Sequence, residues 1–270
     1  MRIRLLFLAL ILWAHAPGQQ PATAEQQVYE RFRAWVNMQP VDVQGSPEVL
    51  QKYRGYLGTQ GANDKDIDSQ IQIIETQSQR LEIERWNTIL TSDQPRFNIK
   101  PNAFLVEMVR GRQPGKALDV GMGQGRNAIW LAQAGWDVTG FDPAERAVAL
   151  ARQNAQKVGV RLTAEVKGME DFNFGEGRWD LIVLSYVGAR QLNDIVPRSL
   201  RPGGILVLEA FHRDATKDGP IGGAVVFDPG ELPSLFKTLR VVRYQEPLQI
   251  ADFGLERARV VQFCAEKPAE

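Results

Sequence analysis

A glycine-rich turn in the middle of the chain constrains the fold more than any other feature. From Leu118 to Asn127 the sequence is LDVGMGQGRN, in which an apolar strand leads through glycines at 121, 123 and 125 into a helix. Glycine has no Cβ, so it permits left-handed backbone angles and the close approach of another group. A strand, a glycine turn and a helix in this order are typical of open α/β sheets, which bind nucleotides at the carboxyl ends of their strands.

The sequence around this turn alternates short apolar strands with helices. This alternation predicts a mostly parallel sheet with helices on both faces. Two β-rich stretches near the C-terminus predict an antiparallel hairpin at the sheet edge. The predicted strands are 117–120, 137–141, 161–166, 180–185, 204–210, 239–245 and 257–265, and the predicted helices between and after them are 127–134, 143–158, 189–200 and 229–237.

The spacing of the glycines and an acid on the strand separate two classes of cofactor. A dinucleotide-binding turn has the pattern G-x-G-x-x-G, and its third glycine, counted from Gly121, falls on Arg126 in this chain. The strand before a dinucleotide-binding turn also usually has an apolar residue at the position that Asp119 occupies in this chain. The observed pattern D-x-G-x-G-x-G therefore makes a nicotinamide-dependent oxidoreductase the weaker enzyme alternative.

A second acid follows at the end of the next predicted strand. Asp142 lies 21 residues after Gly121, at the adjacent carboxyl edge of the sheet. A carboxylate there is able to accept hydrogen bonds from both hydroxyls of a ribose. A structural interpretation stands beside this one, because Asp142, Pro143 and Glu145 also suit the N-cap, N1 and N3 positions of a helix. The two roles are compatible, since a carboxylate has several lone pairs.

These motifs resemble those of class I S-adenosylmethionine-dependent methyltransferases. Residues 117–155 are similar to the first motifs of that family, and the run GQGRN at 123–127 is similar to its tellurite-resistance and thiopurine group. The resemblance extends over about 101–267. It implies a Rossmann-like, mostly parallel sheet of seven strands with an antiparallel C-terminal hairpin, and S-adenosyl-L-methionine as the cofactor.

The resemblance also implies a role for each matching position. The glycines would line the methionine and ribose part of the cofactor, Asp119 would help to hold its amine, and Asp142 would bind its ribose. Arg126 and Asn127 open a helix, whose N-terminal amides favour a carboxylate. The position of the acid that usually contacts the adenine is Gly168 here, so Glu170 or Asp171 would replace that acid; either one equally suits a solvated turn carboxylate. The implied cofactor contacts are Asp119, Gly121, Gly123, Gly125, Arg126, Asn127, Asp142, Met169, Glu170 and Ser185.

The catalytic residues are harder to predict than the cofactor site. Methyl transfer from a sulfonium is an in-line displacement of an activated leaving group, so alignment and exclusion of water do most of the catalysis. A base is needed only when the acceptor keeps its proton. Tyr186 and His212 follow strands at the carboxyl edge and are the candidates, although each also suits a purely structural role. The sequence contains no Asn-Pro-Pro-Tyr motif, which disfavours amino-group methylation of nucleic-acid bases by that arrangement.

The N-terminal third of the chain differs from the rest. Arg2 and Arg4 precede an apolar run from Leu5 to Trp13, too short to span a bilayer and typical of a secretory signal. We expect a leader over 1–24, with cleavage after Ala16 or Ala24 and a secreted or periplasmic protein, or a cytoplasmic one if the start codon is mis-assigned. Over 25–95 the sequence predicts three helices that cap a methyltransferase domain over 96–270, with a partner-binding helical module as the alternative. The last helix, over 64–90, carries an apolar stripe of Ile67, Ile71, Ile74 and Leu81.

Composition narrows the class of partner. Lysines and arginines number 32 and equal the 32 acids, so no surplus of positive charge points to nucleic acid. One cysteine and two histidines exclude disulfide scaffolds and cysteine-rich metal sites. We expect a small-molecule methyl acceptor, no metal, no nucleic acid and no stable membrane span. A non-catalytic nucleoside-binding protein of the same fold is the alternative to an enzyme, and the oligomeric state is left open.

Overall fold

A computed structural model of the chain describes residues 22–44, 46, 48–217 and 221–269. The predicted leader lies outside these residues except for its last three. Among the residues that the structure describes, no helix combines the length and the apolar character needed to cross a membrane.

A nine-stranded sheet forms the centre of the molecule, with seven strands in the order β3, β2, β1, β4, β5, β9, β7. The first five of these are parallel, and β9 runs antiparallel between β5 and β7. The predicted fold class is therefore confirmed. The strands are β1 (Lys116–Val120), β2 (Asp137–Asp142), β3 (Thr163–Val166), β4 (Trp179–Ser185), β5 (Leu200–His212), β6 (Val226–Phe227), β7 (Arg240–Gln245), β8 (Leu248–Ile250) and β9 (Arg257–Glu266).

Helices cover both faces of this sheet because its strands are apolar on both sides. On one face β1, β4 and β5 pack against α5 and α6, and on the other they pack against α8 and α9. The prediction of one helix over 189–200 is wrong, because the structure has a 3-10 turn there followed by the short α8. Pro197 has no backbone N–H to donate, so it disfavours a continuous helix through this segment. The helices of this part are α5 (Ala103–Val109), α6 (Arg126–Gln133), α7 (Glu145–Lys157), α8 (Ile195–Ser199) and α9 (Glu231–Leu235).

The N-terminal residues form a helical cap with a core of its own. The predicted stripe on the last helix is buried there against α1 and α3. The structure adds a fourth, one-turn helix to the three that the sequence predicts. The cap comprises α1 (Ala24–Asn37), α2 (Val41–Gln44), α3 (Val49–Thr59) and α4 (Asp64–Leu90).

Two short strands that the sequence does not predict change the C-terminal hairpin. β6 extends the far end of β5, and β8 pairs with β9. The loop between β8 and β9 folds back to the carboxyl edge, where the backbone amide of Asn98 donates to the carbonyl of Asp252 at 2.7 Å. One bridge also joins Phe97 and Phe253. The C-terminal hairpin thus reaches the same edge as the glycine turn.

Candidate functional site

The glycine turn between β1 and α6 has the backbone that its sequence predicts. Gly121, Gly123 and Gly125 have φ values of 63°, 54° and 83°, in the left-handed region that residues with a Cβ rarely adopt. Gly125 is the N-cap of α6, and the amide of Met122 bonds to the carbonyl of Phe141 at 3.1 Å. The turn is therefore tied to the end of β2 and presents the start of α6 to the carboxyl edge.

Asp142 joins the end of β2 to this turn. Its Oδ2 accepts a hydrogen bond from the amide of Gly123 at 3.0 Å, and its Oδ1 accepts one from Ala144 at 2.8 Å. Burial raises the pKa of this carboxyl, and the two amides oppose that rise. The N-cap assignment from sequence is wrong in its register, because α7 begins at Glu145 with Ala144 as N-cap. Asp142 lies two residues before this N-cap and braces the glycine turn instead.

Asp119 on β1 is almost wholly buried, at 1% exposure, and its Oδ2 has no hydrogen-bond partner among the described residues. Burial raises the pKa of this carboxyl to about 7, although Arg126 and the amide of Ala128 lower it. An unpartnered carboxylate oxygen in a buried place is costly unless a ligand satisfies it.

Arg126, the first residue of α6, crosses the carboxyl edge and is held from three directions. Its Nη1 donates to the Asp252 carboxylate at 2.7 Å and to the carbonyl of Lys100 at 3.0 Å, and its Nη2 donates to Ser185 Oγ at 3.0 Å. Both side chains of the Arg126–Asp252 ion pair are buried, with 8% and 11% exposed. The sequence predicts cofactor contacts for Arg126 and Ser185 but none for Asp252.

A buried polar network continues beyond this ion pair. One amide nitrogen of Asn102 donates both to Glu209 Oε1 at 2.8 Å and to Asp252 Oδ2 at 2.9 Å. Asn127 Oδ1 accepts from the backbone amide of Asn102 at 2.9 Å. Burial raises the pKa of Glu209, whose Oε2 also accepts from Gln262 at 2.5 Å. The network ties α5, α6, β5 and β9 together below the glycine turn.

Tyr186 belongs to this network. Its hydroxyl donates to Glu209 Oε1 at 3.0 Å and accepts from the amide of Asp252 at 3.2 Å. Burial and the Glu209 carboxylate raise the pKa of this phenol far above its usual range. Its φ of 57° is unusual for a bulky residue. The hydroxyl is thus engaged by protein groups on both sides.

His212 lies farther along β5, three residues after Glu209, so the two side chains point to opposite faces of the strand. It is buried, its Nδ1 accepts from the backbone amide of Asp214 at 3.0 Å, and its Nε2 lies 3.5 Å from Glu246 Oε2. The structure does not bring His212 to the glycine turn. As catalytic residues, His212 and Tyr186 stay predictions.

Met169 and Glu170 follow β3 and lie beside the cap. The amide of Gln191 contacts Met169 Sδ at 3.0 Å, and the amide of Gln79 on α4 donates to Glu170 Oε1 at 3.4 Å. Glu170 is exposed, and Met169 is half-buried against the core. Their contact with an adenine ring stays a prediction.

A small cavity of about 30 Å³ lies on the glycine turn. Part of its wall comes from the cap, since a Cβ placed on Gly123 would lie 3.1 Å from Leu90 Cδ2. A Cβ placed on Gly121 would lie 2.5 Å from Val187 Cγ1. The lining residues are Leu90, Phe97, Gly121, Met122, Gly123, Gln124, Arg126, Asn127, Ser185 and Phe253.

The geometry of this edge agrees with the comparisons to known proteins. Residues 117–204 match a family model described as a methyltransferase domain. That range contains the glycine turn, Asp119, Asp142 and Ser185. Residues 117–204 thus belong to a class I S-adenosylmethionine-dependent methyltransferase domain. S-adenosylmethionine is the cofactor of this domain class.

Three relatives illustrate the similarity of the methyltransferase domain. An uncharacterized methyltransferase of Synechocystis sp. is 38% identical over 106 residues, which are 36% of this chain and 48% of that protein. Ribosomal RNA small subunit methyltransferase C of Alcanivorax borkumensis is 30% identical over 122 residues, 40% of this chain and 37% of that protein. The probable S-adenosyl-L-methionine-dependent methyltransferase TehB of Haemophilus influenzae is 26% identical over 149 residues, 53% of this chain and 52% of that protein.

The crystal structure of TehB from Haemophilus influenzae shares the fold, with a TM-score of 0.53 and 23% identity over 62% of each chain. The chain spans about half the length, or less, of these curated relatives. The matched range begins at 117, so the helical cap lies outside the part of the chain that the family model matches.

The residues of the methyltransferase domain fit a nucleoside that carries an amino acid. Asp119 has a carboxylate oxygen without a partner, and Arg126 borders the cavity as a buried cation. The left-handed glycines leave the backbone bare beside them. These groups match the ammonium and carboxylate that S-adenosylmethionine carries at its amino-acid end.

Two residues at this edge, Phe253 in the cavity lining and Asp252 before it, were not predicted from the sequence. Phe253 stacks on Phe97 with ring centroids 5.4 Å apart, and the ring of Trp86 meets its edge at 6.3 Å. Asp252 precedes it. Both residues lie in a hairpin loop that matches no motif, and the only signal was the pair Asn98 and Asn102, whose amides need acceptors in a buried place.

Proposed function

We propose that this protein transfers a methyl group from S-adenosylmethionine to a small-molecule acceptor by in-line displacement. One observation carries the proposal: Asp142 Oδ2 accepts from the amide of Gly123 at 3.0 Å, so the glycine turn and the acid of the next strand are in direct contact. The spacing of the glycines, with Asp119 on the strand before them, distinguishes this cofactor from a dinucleotide, whereas an acid placed like Asp142 binds a ribose in both classes.

The proposed cofactor contacts follow from position and charge. Asp142 accepts from the ribose hydroxyls, and Asp119, with its unpartnered oxygen, accepts from the ammonium. Arg126 and the first amides of α6 face the carboxylate, where a helix N-terminus favours negative charge. Gly121, Gly123, Asn127 and Ser185 line the same cavity. Met169 and Glu170 are proposed for the adenine side.

The protein's own contribution to the reaction is alignment in a dry site. When bound, S-adenosylmethionine supplies a methyl group that is already activated on a sulfonium. Leu90, Phe97 and Phe253 form an apolar wall that excludes water, which strengthens the electrostatic contacts inside. Tyr186 is held by Glu209 and by the amide of Asp252, so its proposed part is to shape the pocket. His212 is proposed as a base only for an acceptor that reaches beyond β5.

Binding requires the site to widen. Pockets for ligands of this size measure roughly 300–1,000 Å³, and the cavity on the glycine turn measures about 30 Å³. Leu90 from the cap and Val187 from the loop after β4 lie against the two glycines that would contact the cofactor. We expect both side chains to move away when the cofactor enters.

The charge of the chain supports a small acceptor. Positive and negative side chains balance, which gives no excess of cations for a phosphate backbone. One relative is named as a ribosomal RNA methyltransferase, so an RNA acceptor is the second candidate to test.

The test measures S-adenosylhomocysteine formed from S-adenosylmethionine with a panel of phenols, thiols, amines and carboxylic acids, and separately with ribosomal RNA. We expect turnover with one small-molecule class and none with RNA. Asp142→Ala serves as the control that removes the cofactor site. Turnover with RNA alone would replace the proposed acceptor, and cofactor binding without turnover on either arm would favour a non-catalytic binding protein.

A further inference from the structure

We propose that Asp252 is a positioning residue that aims the Arg126 guanidinium at the carboxylate of the cofactor's amino-acid end. The inference rests on the proposed function. It adds to the site a residue from the loop between β8 and β9, which lies 126 positions away from Arg126 along the chain.

The hydrogen bonds of Arg126 leave room for a ligand. A guanidinium has five N–H donors, and three of them are taken by Asp252, Lys100 and Ser185. The other two have no partner among the residues that the structure describes. Arg126 is also the one charged residue among those that line the cavity on the glycine turn. A carboxylate entering this cavity therefore meets a cation with two free donors.

Asp252 is itself fixed. Its Oδ1 accepts from Asn98 at 2.8 Å, and its Oδ2 accepts from Asn102 at 2.9 Å besides Arg126. Backbone hydrogen bonds between this loop and residues 96–98 also fix the main chain of Asp252. The carboxylate is thus a rigid anchor for the guanidinium.

The anchor matters because a second carboxylate lies near Arg126. Burial raises the pKa of the Asp119 carboxyl, and the Arg126 guanidinium opposes that rise, as a cation near a carboxylate does. The two groups are not hydrogen-bonded, and Asp119 Oδ2 has no partner in the described part of the chain. Without Asp252, the guanidinium would turn to this oxygen. Both halves of the zwitterion site would then be lost, since Arg126 and Asp119 would satisfy each other instead of the ligand's carboxylate and ammonium.

The test compares two ligands that differ at the amino-acid end. S-adenosylhomocysteine carries the ammonium and the carboxylate, whereas 5′-methylthioadenosine has the same nucleoside without them. For Asp252→Asn we expect calorimetric affinity for S-adenosylhomocysteine to fall about tenfold or more, as loss of charged hydrogen bonds implies, and affinity for 5′-methylthioadenosine to stay within about twofold.

Glu256→Gln is the matched control, because Glu256 lies on the same loop and its ion pair with Arg96 is exposed. We expect it to bind both ligands like the wild type. An equal loss for both ligands in Asp252→Asn would mean that Asp252 only supports the loop, and unchanged affinity would mean that it does not act on Arg126; either result overturns the inference. If the wild type binds neither ligand, the proposed function itself fails.

Discussion

Asp142 holds two loops of the proposed cofactor site together. Its carboxylate accepts from Gly123 and from Ala144, so it fixes the glycine turn and the loop before α7 at once. The sequence placed it at this edge through its spacing from Gly121. It did not reveal that the carboxylate would brace the glycine turn, because that bond depends on the separation of β1 and β2 in space.

Asp142→Ala is expected to weaken S-adenosylhomocysteine binding about a hundredfold or more, because several hydrogen bonds to a charged acceptor are lost, each worth roughly 1.5–3 kcal/mol. Calorimetry measures the affinity, and circular dichroism checks that the fold persists. Asp142→Asn is the paired variant that keeps the shape and removes the charge. Wild-type affinity in Asp142→Ala would refute the ribose role.

The raised pKa of Asp119 implies that S-adenosylhomocysteine binding depends on pH. Burial raises its pKa to about 7, so the folded protein holds a proton that the unfolded chain releases near pH 4. Its contribution to stability is present at low pH and is lost as the pH rises through about 7. An ammonium needs the ionised carboxylate, so affinity for S-adenosylhomocysteine should rise between about pH 6 and about pH 8.

Calorimetric titrations across this range test the assignment, with Asp119→Asn as the comparison. Arg126 and Asp142 also act on this group and are unchanged in the variant. We expect the variant to bind more weakly and to lose most of the rise with pH. An equal rise in the variant would assign the titration to another group.

At the scale of elements, hydrogen bonds between α4 and α7 join the cap to the loop beside the proposed cofactor site. Asn87 is fully buried; its amide donates to Glu145 Oε1 at 2.8 Å, and its oxygen accepts from the amide of Arg146 at 2.9 Å. It therefore caps the first turn of α7, directly after the Asp142 loop. Leu90 lies one turn farther along α4 and contacts the glycine turn.

Asn87→Ala is expected to lower the free energy of unfolding by about 1–3 kcal/mol, because buried partners lose their hydrogen bonds. It should also weaken S-adenosylhomocysteine binding, since the loop that carries Asp142 loses its support. Urea unfolding and calorimetry measure the two effects. Thr76→Ala, on an exposed position of the same helix where the hydroxyl bonds only to the carbonyl of Gln72, should change stability by no more than about 0.5 kcal/mol. Equal effects of the two substitutions would argue against this connection between α4 and α7.

The elements also show where sequence reasoning stops. Periodicity located α4 over 64–90 and most strands, because burial imposes a regular pattern on each. It missed β6, β8 and the return of the loop over 251–256 to the site. That return rests on bonds between Asp252 and residues near 98, 102 and 126, and contacts so distant along the chain leave no local pattern.

At the scale of the whole molecule, the N-terminus bears on where the protein works. Export remains a proposal, and residues 1–21 are not described. Thr23 caps α1, and it forms a capping box with Gln26. Cleavage after Ala24 would remove this cap, which is worth about 1 kcal/mol. We therefore propose cleavage after Ala16. The intact mass of the exported protein tests this proposal, and a mass that corresponds to a chain beginning at Glu25 would contradict it.

The whole molecule combines a methyltransferase domain with a cap and a C-terminal hairpin loop that meet over its glycine turn. Calorimetric titration of the purified protein with S-adenosylhomocysteine, and separately with NADH, tests this account most directly. We predict saturable one-to-one binding of S-adenosylhomocysteine and no response to NADH. Tight binding of NADH without any response to S-adenosylhomocysteine would contradict it.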